Sequence, residues 1–329
     1  MEGGDKGTVC VTGGAGFLAS WLITRLLRHG YSVRATVRSD PKFKEDTTHL
    51  MNLPEAQEKL AIFDADLEKP GTFEPVVEGC IGVFHVAHPM DMEGKTPQET
   101  ITKISVEGTL GLLNACLKSK TVKRVVYTSS TAAAMCVSNL KELQEIDENM
   151  WSDVEMLKGL SLPGLSYSIS KTLTERAAIE FGAKNGLDVV TLLPAAIVGP
   201  FHTPNIPIGV ALALALVFGN ELACQLAKQL NIVHIDDVAS AQIFLLECPK
   251  AVGRHICSSA DTTIHGLAKF FSARYPEFQM PIDLLSKMEE EKPIHLSSKK
   301  LLDLGFKFNN GIEKMYDGAI ESCKQKGFL

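Results

Sequence analysis

The chain has 329 residues, 45% hydrophobic and 22% charged, which suits one large α/β domain with an elaborated second lobe. The net charge is −6 and no basic run occurs, which argues against a nucleic-acid partner. The longest apolar run, 209–218, is about half the ~20 residues that span a bilayer, and the polar start, 1–7, has no secretory h-region.

The first predicted element is a strand over 8–12, followed by a glycine turn and a helix over 17–29. Gly14, Gly16 and Ala19 fit the G-x-G-x-x-G/A phosphate loop in the strand–turn–helix setting that gives it meaning. Gly14 permits the tight turn, and Gly16 lets the backbone approach a pyrophosphate. Ala19 lets the helix pack close to the strand. Free N–H groups at the helix start then face the anion. Thr12, Gly13, Gly14, Gly16, Phe17 and Leu18 are the contacts expected of this loop. Trp21, Leu22, Leu26 and Leu27 form the apolar face of the helix. The competing reading is a tight strand–helix turn without a ligand.

Short apolar strands are expected at 32–37, 59–63, 82–86, 124–129 and 188–193. Helices fall between them, around 72–78, 100–117 and 168–184. Near-continuous apolar strands alternating with helices argue for an α/β doubly wound parallel sheet covered on both faces. Pro194, Pro200, Pro204 and Pro207 then crowd a stretch expected to be neither helix nor central strand. The run 209–218 reads as a buried helix, 231–239 as strand then helix, and 312–324 as the last helix. The dinucleotide-binding domain is placed at 1–194 and 231–256, and a smaller substrate lobe at 195–230 and 257–329.

The eight cysteines are scattered, with no C-x-x-C pair, and read as reduced residues of a cytosolic protein. His85, His88, His202 and His234 lack metal-ligand spacing, so no metal is expected; His234 reads as a tie between sheet and second lobe. A soluble, cytoplasmic monomer or weak homodimer, without a membrane partner, is the expectation.

Tyr167 and Lys171 stand four apart on a predicted helix, on one face. A Tyr is a poor acid–base at pH 7, and a neighbouring ammonium is expected to lower its pKa. Tyr167 then moves a proton to or from a carbonyl oxygen, and Lys171 can also bond the nicotinamide ribose. Ser130, at the carboxyl end of a strand, can hold the reacting oxygen, with Ser129 and Thr131 as rivals. Ser129 is also counted among the cofactor contacts.

Glycine loop, strand-end Ser and Tyr-x-x-x-Lys, in that order, resemble the extended short-chain dehydrogenase/reductase superfamily with its Rossmann fold. The stretches Gly82-Val83-Phe84-His85-Val86-Ala87, Tyr127-Thr128-Ser129-Ser130, Val198-Gly199-Pro200-Phe201 and Gly253-Arg254-His255-Ile256-Cys257-Ser258-Ser259 are similar to plant dihydroflavonol-4-reductase relatives. The resemblance spans essentially the whole chain. Within that group the chain resembles the vestitone reductase branch, and Arg38-Ser39-Asp40-Pro41-Lys42-Phe43 points further to the noscapine synthase branch. The resemblance implies that Ser130, Tyr167 and Lys171 are the catalytic trio. It implies Asp66 and Leu67 near the adenine, and Val86, Ala87 and His88 beside the nicotinamide ribose. It also implies Pro194 and Ile197 at the carboxamide, and Phe201 and Ile206 in the substrate region.

Arg38, with Lys42 or Lys44 nearby, favours a 2′-phosphate, so NADP(H) is expected, with NAD(H) as the alternative that Asp40 and an NAD-linked branch support. Where the flavonoid reductases of this resemblance carry an Asn five residues past the catalytic Ser, this chain has Met135. A thioether cannot replace those donors and acceptors, so a bulky apolar aromatic substrate, an alkaloid or isoflavonoid, is expected. Oxidation of a hemiacetal to a lactone with NAD is the alternative. A nucleotide-sugar epimerase or dehydratase is disfavoured, because the C-terminal lobe lacks a basic cluster for a diphosphate. A non-catalytic cofactor sensor is disfavoured because the trio is complete.

Overall fold

The computed structural model describes residues 6–38, 47–89, 96–138, 143–160 and 165–329. Lys44, with its neighbours Asp40 and Lys42, lies outside the described residues. The strands are β1 (Thr8–Val11), β2 (Ser32–Val37), β3 (Leu60–Asp64), β4 (Gly82–His85), β5 (Arg124–Thr128), β6 (Glu145–Ile146), β7 (Asp188–Pro194), β8 (Ala196–Val198), β9 (Gln229–His234), β10 (Gly253–Cys257), β11 (Ala260–Thr263) and β12 (His295–Leu296).

Seven of these form one parallel sheet in the order β3-β2-β1-β4-β5-β7-β10. The order reverses between β1 and β4, and that switch point opens a crevice at the carboxyl ends of the strands. Alternate residues face opposite sides: Val9, Val11 and Val126 join one core, Cys10, Val83 and Val125 the other. Helices Phe17–Arg28 and Ile235–Glu247 cover the first face, Gln98–Ser119 and Leu165–Asn185 the second. Both faces are buried, which is why the strands read as continuous apolar runs. The fold is a Rossmann-like doubly wound α/β sheet.

A second core gathers Val198, Phe201, Val210, Ile232, Leu267, Phe271 and Tyr316 around the small sheet β11-β9-β8. Phe271 and Tyr316 meet edge-on at 5.0 Å between ring centroids. The helix expected over 209–218 is only half formed, as Ile208–Ala213. Ala213, Leu214, Ala215 and Leu216 are all buried, and the chain turns beyond Ala213. The proline-rich stretch also departs from expectation. Pro194 closes the central strand β7 opposite Cys257, and β8 follows at once. A missing N–H is tolerated at that position because the ladder is ending.

All eight cysteines are free, six of them buried. Among the described residues, no helix is long and apolar enough to cross a membrane, and no group of three or more His, Cys, Asp or Glu side chains has metal-binding geometry.

Candidate active site

The glycine loop starts where β1 ends. Gly13 takes a left-handed φ of +70°, and a Cβ there would stand 3.1 Å from Ala87 Cα. Gly14 N–H donates to the Thr36 carbonyl at 2.7 Å, and a Cβ on Gly14 would stand 2.9 Å from Ala35 Cβ. Side chains are therefore excluded where the loop must hug β2. Gly16 caps helix Phe17–Arg28 with no side-chain cap and no acidic residue in the first turn. The helix-start N–H groups thus keep their positive potential for an incoming anion, which fits a dinucleotide pyrophosphate.

Thr12 pins this loop from below. Its hydroxyl accepts the Val86 and Ala87 N–H groups, each at 3.0 Å, so its own proton goes to His85 Nδ1 at 2.8 Å. His85 Nε2–H then donates to Thr109 at 2.9 Å. Burial, helped by the Lys171 charge, pushes His85 down to about 3, and burial helped by Lys300 pushes His255 to about 4. Both hold a proton more weakly folded than at the ordinary 6.5. Stability is therefore complete above pH 6.5 and is lost as pH falls towards 4, by about 1.4 kcal/mol per pH unit for each such histidine. Urea midpoints should drop between pH 7 and pH 5; unchanged midpoints would contradict this.

Arg38 follows the carboxyl end of β2, partly exposed. Asp66 and Leu67 follow β3; Asp66 spends one carboxylate oxygen on the Glu68 N–H, and Leu67 is buried. Ile197 lies on β8 beside the close of β7 at Pro194.

The expected trio converges at the carboxyl end of β5. The Ser130 hydroxyl caps a short turn, accepting the Ala132 N–H at 3.2 Å, and faces the Tyr167 phenol. Tyr167 and Lys171 lie one turn apart on helix Leu165–Asn185, with Lys171 Nζ 5.9 Å from the Tyr167 ring centroid. His88 meets the Tyr167 ring edge-on at 5.4 Å, and its buried Nε2 has no partner among the described residues. Among the three candidate hydroxyls, Ser130 is the one on Tyr167. Ser129, also expected at the cofactor, is buried and donates its hydroxyl to Glu175 at 2.7 Å.

One electrostatic expectation is corrected. Burial raises Tyr167, with the Ser130 hydroxyl opposing it. Lys171 lies 5.9 Å from the Tyr167 ring centroid and donates to the Thr128 carbonyl at 2.8 Å, and it does not offset the burial. Burial also pulls Lys171 down to about 7, while Glu175 holds it up. The phenol in this site keeps its proton.

Other expected contacts separate. Met135 stays partly exposed just past the Ser130 turn, and Ile206 packs partly buried on the second core. Phe201 is 3% exposed, and its N–H bonds Ser322 Oγ at 3.1 Å. Its ring packs towards Phe328, so it docks the C-terminal helix and does not line the cleft. Trp21 leaves the strand-facing side of its helix, donates to Asp236 at 2.9 Å and stacks on His202. His234 caps helix Ile235–Glu247; the tie to the C-terminal segment is buried Asp237, which accepts from Asn309 and Asn310.

Two charged residues of the site escape the sequence reading. Glu175 sits one further turn along the Tyr167–Lys171 face, fully buried, and pairs with Arg254 Nε at 3.0 Å. The four-residue spacing from Lys171 to Glu175 was the available signal. Nothing local marks Arg254, which is 79 positions away.

The NAD dependent epimerase/dehydratase family profile matches residues 9–257. Noscapine synthase SDR1 of Papaver somniferum is 56% identical, covering 100% of this chain and 95% of that protein. The dihydroflavonol 4-reductase of Hordeum vulgare is 45% identical, covering 99% of this chain and 91% of that protein. The crystal structure of vestitone reductase from alfalfa (Medicago sativa) superposes with a TM-score of 0.87 at 46% identity, covering 98% of this chain and 100% of that one.

Proposed function

We propose that this chain, which belongs to the NAD dependent epimerase/dehydratase family of extended short-chain dehydrogenases/reductases and is an NAD(P)-dependent oxidoreductase, uses NADP(H) to reduce a carbonyl on a bulky aromatic metabolite of alkaloid or isoflavonoid type. The observation that carries this reading is the Ser130 hydroxyl set against the Tyr167 phenol with Lys171 beside it, at the carboxyl end of β5, next to the sheet's switch point. Ser130 holds the carbonyl oxygen. Tyr167, a phenol that burial keeps protonated to still higher pH, gives that oxygen its proton. Lys171 supplies positive charge and reaches the ribose. The bound nicotinamide supplies the hydride.

Thr12, Gly13, Gly14, Gly16, Phe17 and Leu18 cradle the pyrophosphate. Arg38 and Lys44 receive the 2′-phosphate, and Asp66 and Leu67 flank the adenine. Val86, Ala87 and His88 face the ribose, Pro194 and Ile197 the carboxamide. Met135 and Ile206 meet the substrate, with the substrate lobe at 195–230 and 257–329. The chemistry needs no metal.

Two assays test this. NADPH should bind more tightly than NADH, and Arg38→Ala should narrow the gap; tighter NADH binding would overturn the cofactor choice. Nicotinamide absorbance should fall with members of a panel of isoflavanones, dihydroflavonols and isoquinoline ketones. Turnover confined to hemiacetal oxidation with NAD would replace the reductive reading with the oxidative one.

A further inference from the structure

We propose that the buried Glu175–Arg254 pair is the positioning element of the catalytic centre, clamping the turn that carries Ser130 and facing the Lys171 ammonium with a fixed negative charge. The proposal rests on Ser130, Tyr167 and Lys171 being the catalytic trio.

The geometry is complete. Glu175 accepts from Ser129 Oγ at 2.7 Å, Thr191 Oγ1 at 2.6 Å, and Arg254 Nε and Nη2 at 3.0 and 3.3 Å. Arg254 uses all five of its N–H groups: two on Glu175, and three on the carbonyls of Ala133, Glu148 and Met150. Its guanidinium lies on the Trp151 ring, 3.6 Å from the centroid. A buried pair this well satisfied tolerates little movement of either partner.

Its attachments bracket Ser130. Glu175 holds Ser129, the residue before; Arg254 holds the Ala133 carbonyl, three residues after. Ser152 reinforces the far side through the Ala132 carbonyl at 2.8 Å. Ser130 itself touches neither charge, so the pair acts through the turn.

The second action is electrostatic. Lys171 is faced by Glu175 and Tyr167 on its own helix, Tyr127 on β5, His85 on β4 and His88 after it. His85 and His88 are held neutral by burial, so Glu175 is the one anion set against it among these groups. Loss of that anion makes the Lys171 proton easier to lose.

The test uses the NADPH-loaded enzyme with the isoflavanone or isoquinoline ketone that gives the highest wild-type rate. Glu175→Gln should lower kcat about 10- to 100-fold with little change in either KM. It should also move the alkaline limb of the kcat profile to lower pH. A merely structural role would lower thermal stability and leave that limb in place. Ser129→Ala, which keeps the ion pair but frees the turn, should lower kcat without moving the limb.

A folded Glu175→Gln enzyme with an unmoved limb overturns the proposal. If Glu175→Gln fails to fold, Ser129→Ala decides: reduced kcat supports the clamp, and unchanged kcat overturns it. Tyr167→Phe separates the two layers. Wild-type activity in that variant means the trio reading itself fails. An inactive Tyr167→Phe beside wild-type Glu175→Gln and Ser129→Ala sinks the positioning role alone.

Discussion

Tyr167→Phe is expected to lower kcat for carbonyl reduction about 10²- to 10⁴-fold, with NADPH affinity changed by no more than a few-fold. The variant deletes one oxygen and keeps the ring. The edge-on contact with His88 and the neighbouring Lys171 both survive, because each is made to the ring. What goes is the hydroxyl that faces Ser130 and that the proposed reaction uses as its acid. No neighbour replaces it. Ser130 is a far weaker acid than a phenol, Lys171 lies by the ring with a donor on the Thr128 carbonyl, and His88 is held well below its ordinary range by burial. Steady-state rates and cofactor fluorescence titration separate chemistry from binding. A kcat within tenfold of wild type would remove Tyr167 from the reaction.

The second large effect is at the glycine loop. Gly14→Ala should weaken NADPH binding about 10- to 100-fold. The added methyl would stand 2.9 Å from Ala35 Cβ and 3.4 Å from the Thr36 carbonyl. Both belong to β2, which is held between β1 and β3, and neither is the end of a flexible side chain. The loop must lift, which forfeits the Gly14–Thr36 bond and misplaces the helix start. Overpacking of this kind costs about 1–3 kcal/mol, which converts to that loss of affinity. Gly71→Ala is the control, since a Cβ there meets nothing within 4 Å. Equal affinity of Gly14→Ala and the control would contradict the cradle.

Much of this site was legible in the sequence because its first half is local. Strand β1, the glycine turn and helix Phe17–Arg28 are consecutive, and their backbone requirements appear as glycines at fixed spacing. The Tyr167–Lys171 pair is legible for the same reason: one helix turn joins them. The remainder depends on contacts between distant segments. Helix Leu165–Asn185 buries Ser168, Ser170, Lys171, Thr172, Thr174 and Glu175, so polarity along it does not reveal which face is inside. Glu175 became a member of the site only through Arg254 and Thr191 on neighbouring strands. Ser129 and Ser130 are adjacent and chemically alike; what separates them is a partner on another element.

Phe201 shows the opposite error. Its family position suggested a substrate contact, whereas packing with the C-terminal helix withdraws the ring from the cleft. The half-formed helix after Pro207 has a similar cause. The apolar run is long enough for a helix, but hydropathy does not mark where the chain turns beyond Ala213.

The central claim is a net hydride transfer assisted by Tyr167. The most direct measurement mixes the enzyme with NADPH carrying deuterium at the transferring C4 position and with each ketone of the panel. Absorbance and product mass are then followed together. The account predicts that the nicotinamide band disappears, that one alcohol gains a single deuterium per NADPH consumed, and that Tyr167→Phe abolishes both signals. Deuterium that returns to the cofactor, or a stable nicotinamide band across the panel while NADPH remains bound, would contradict it.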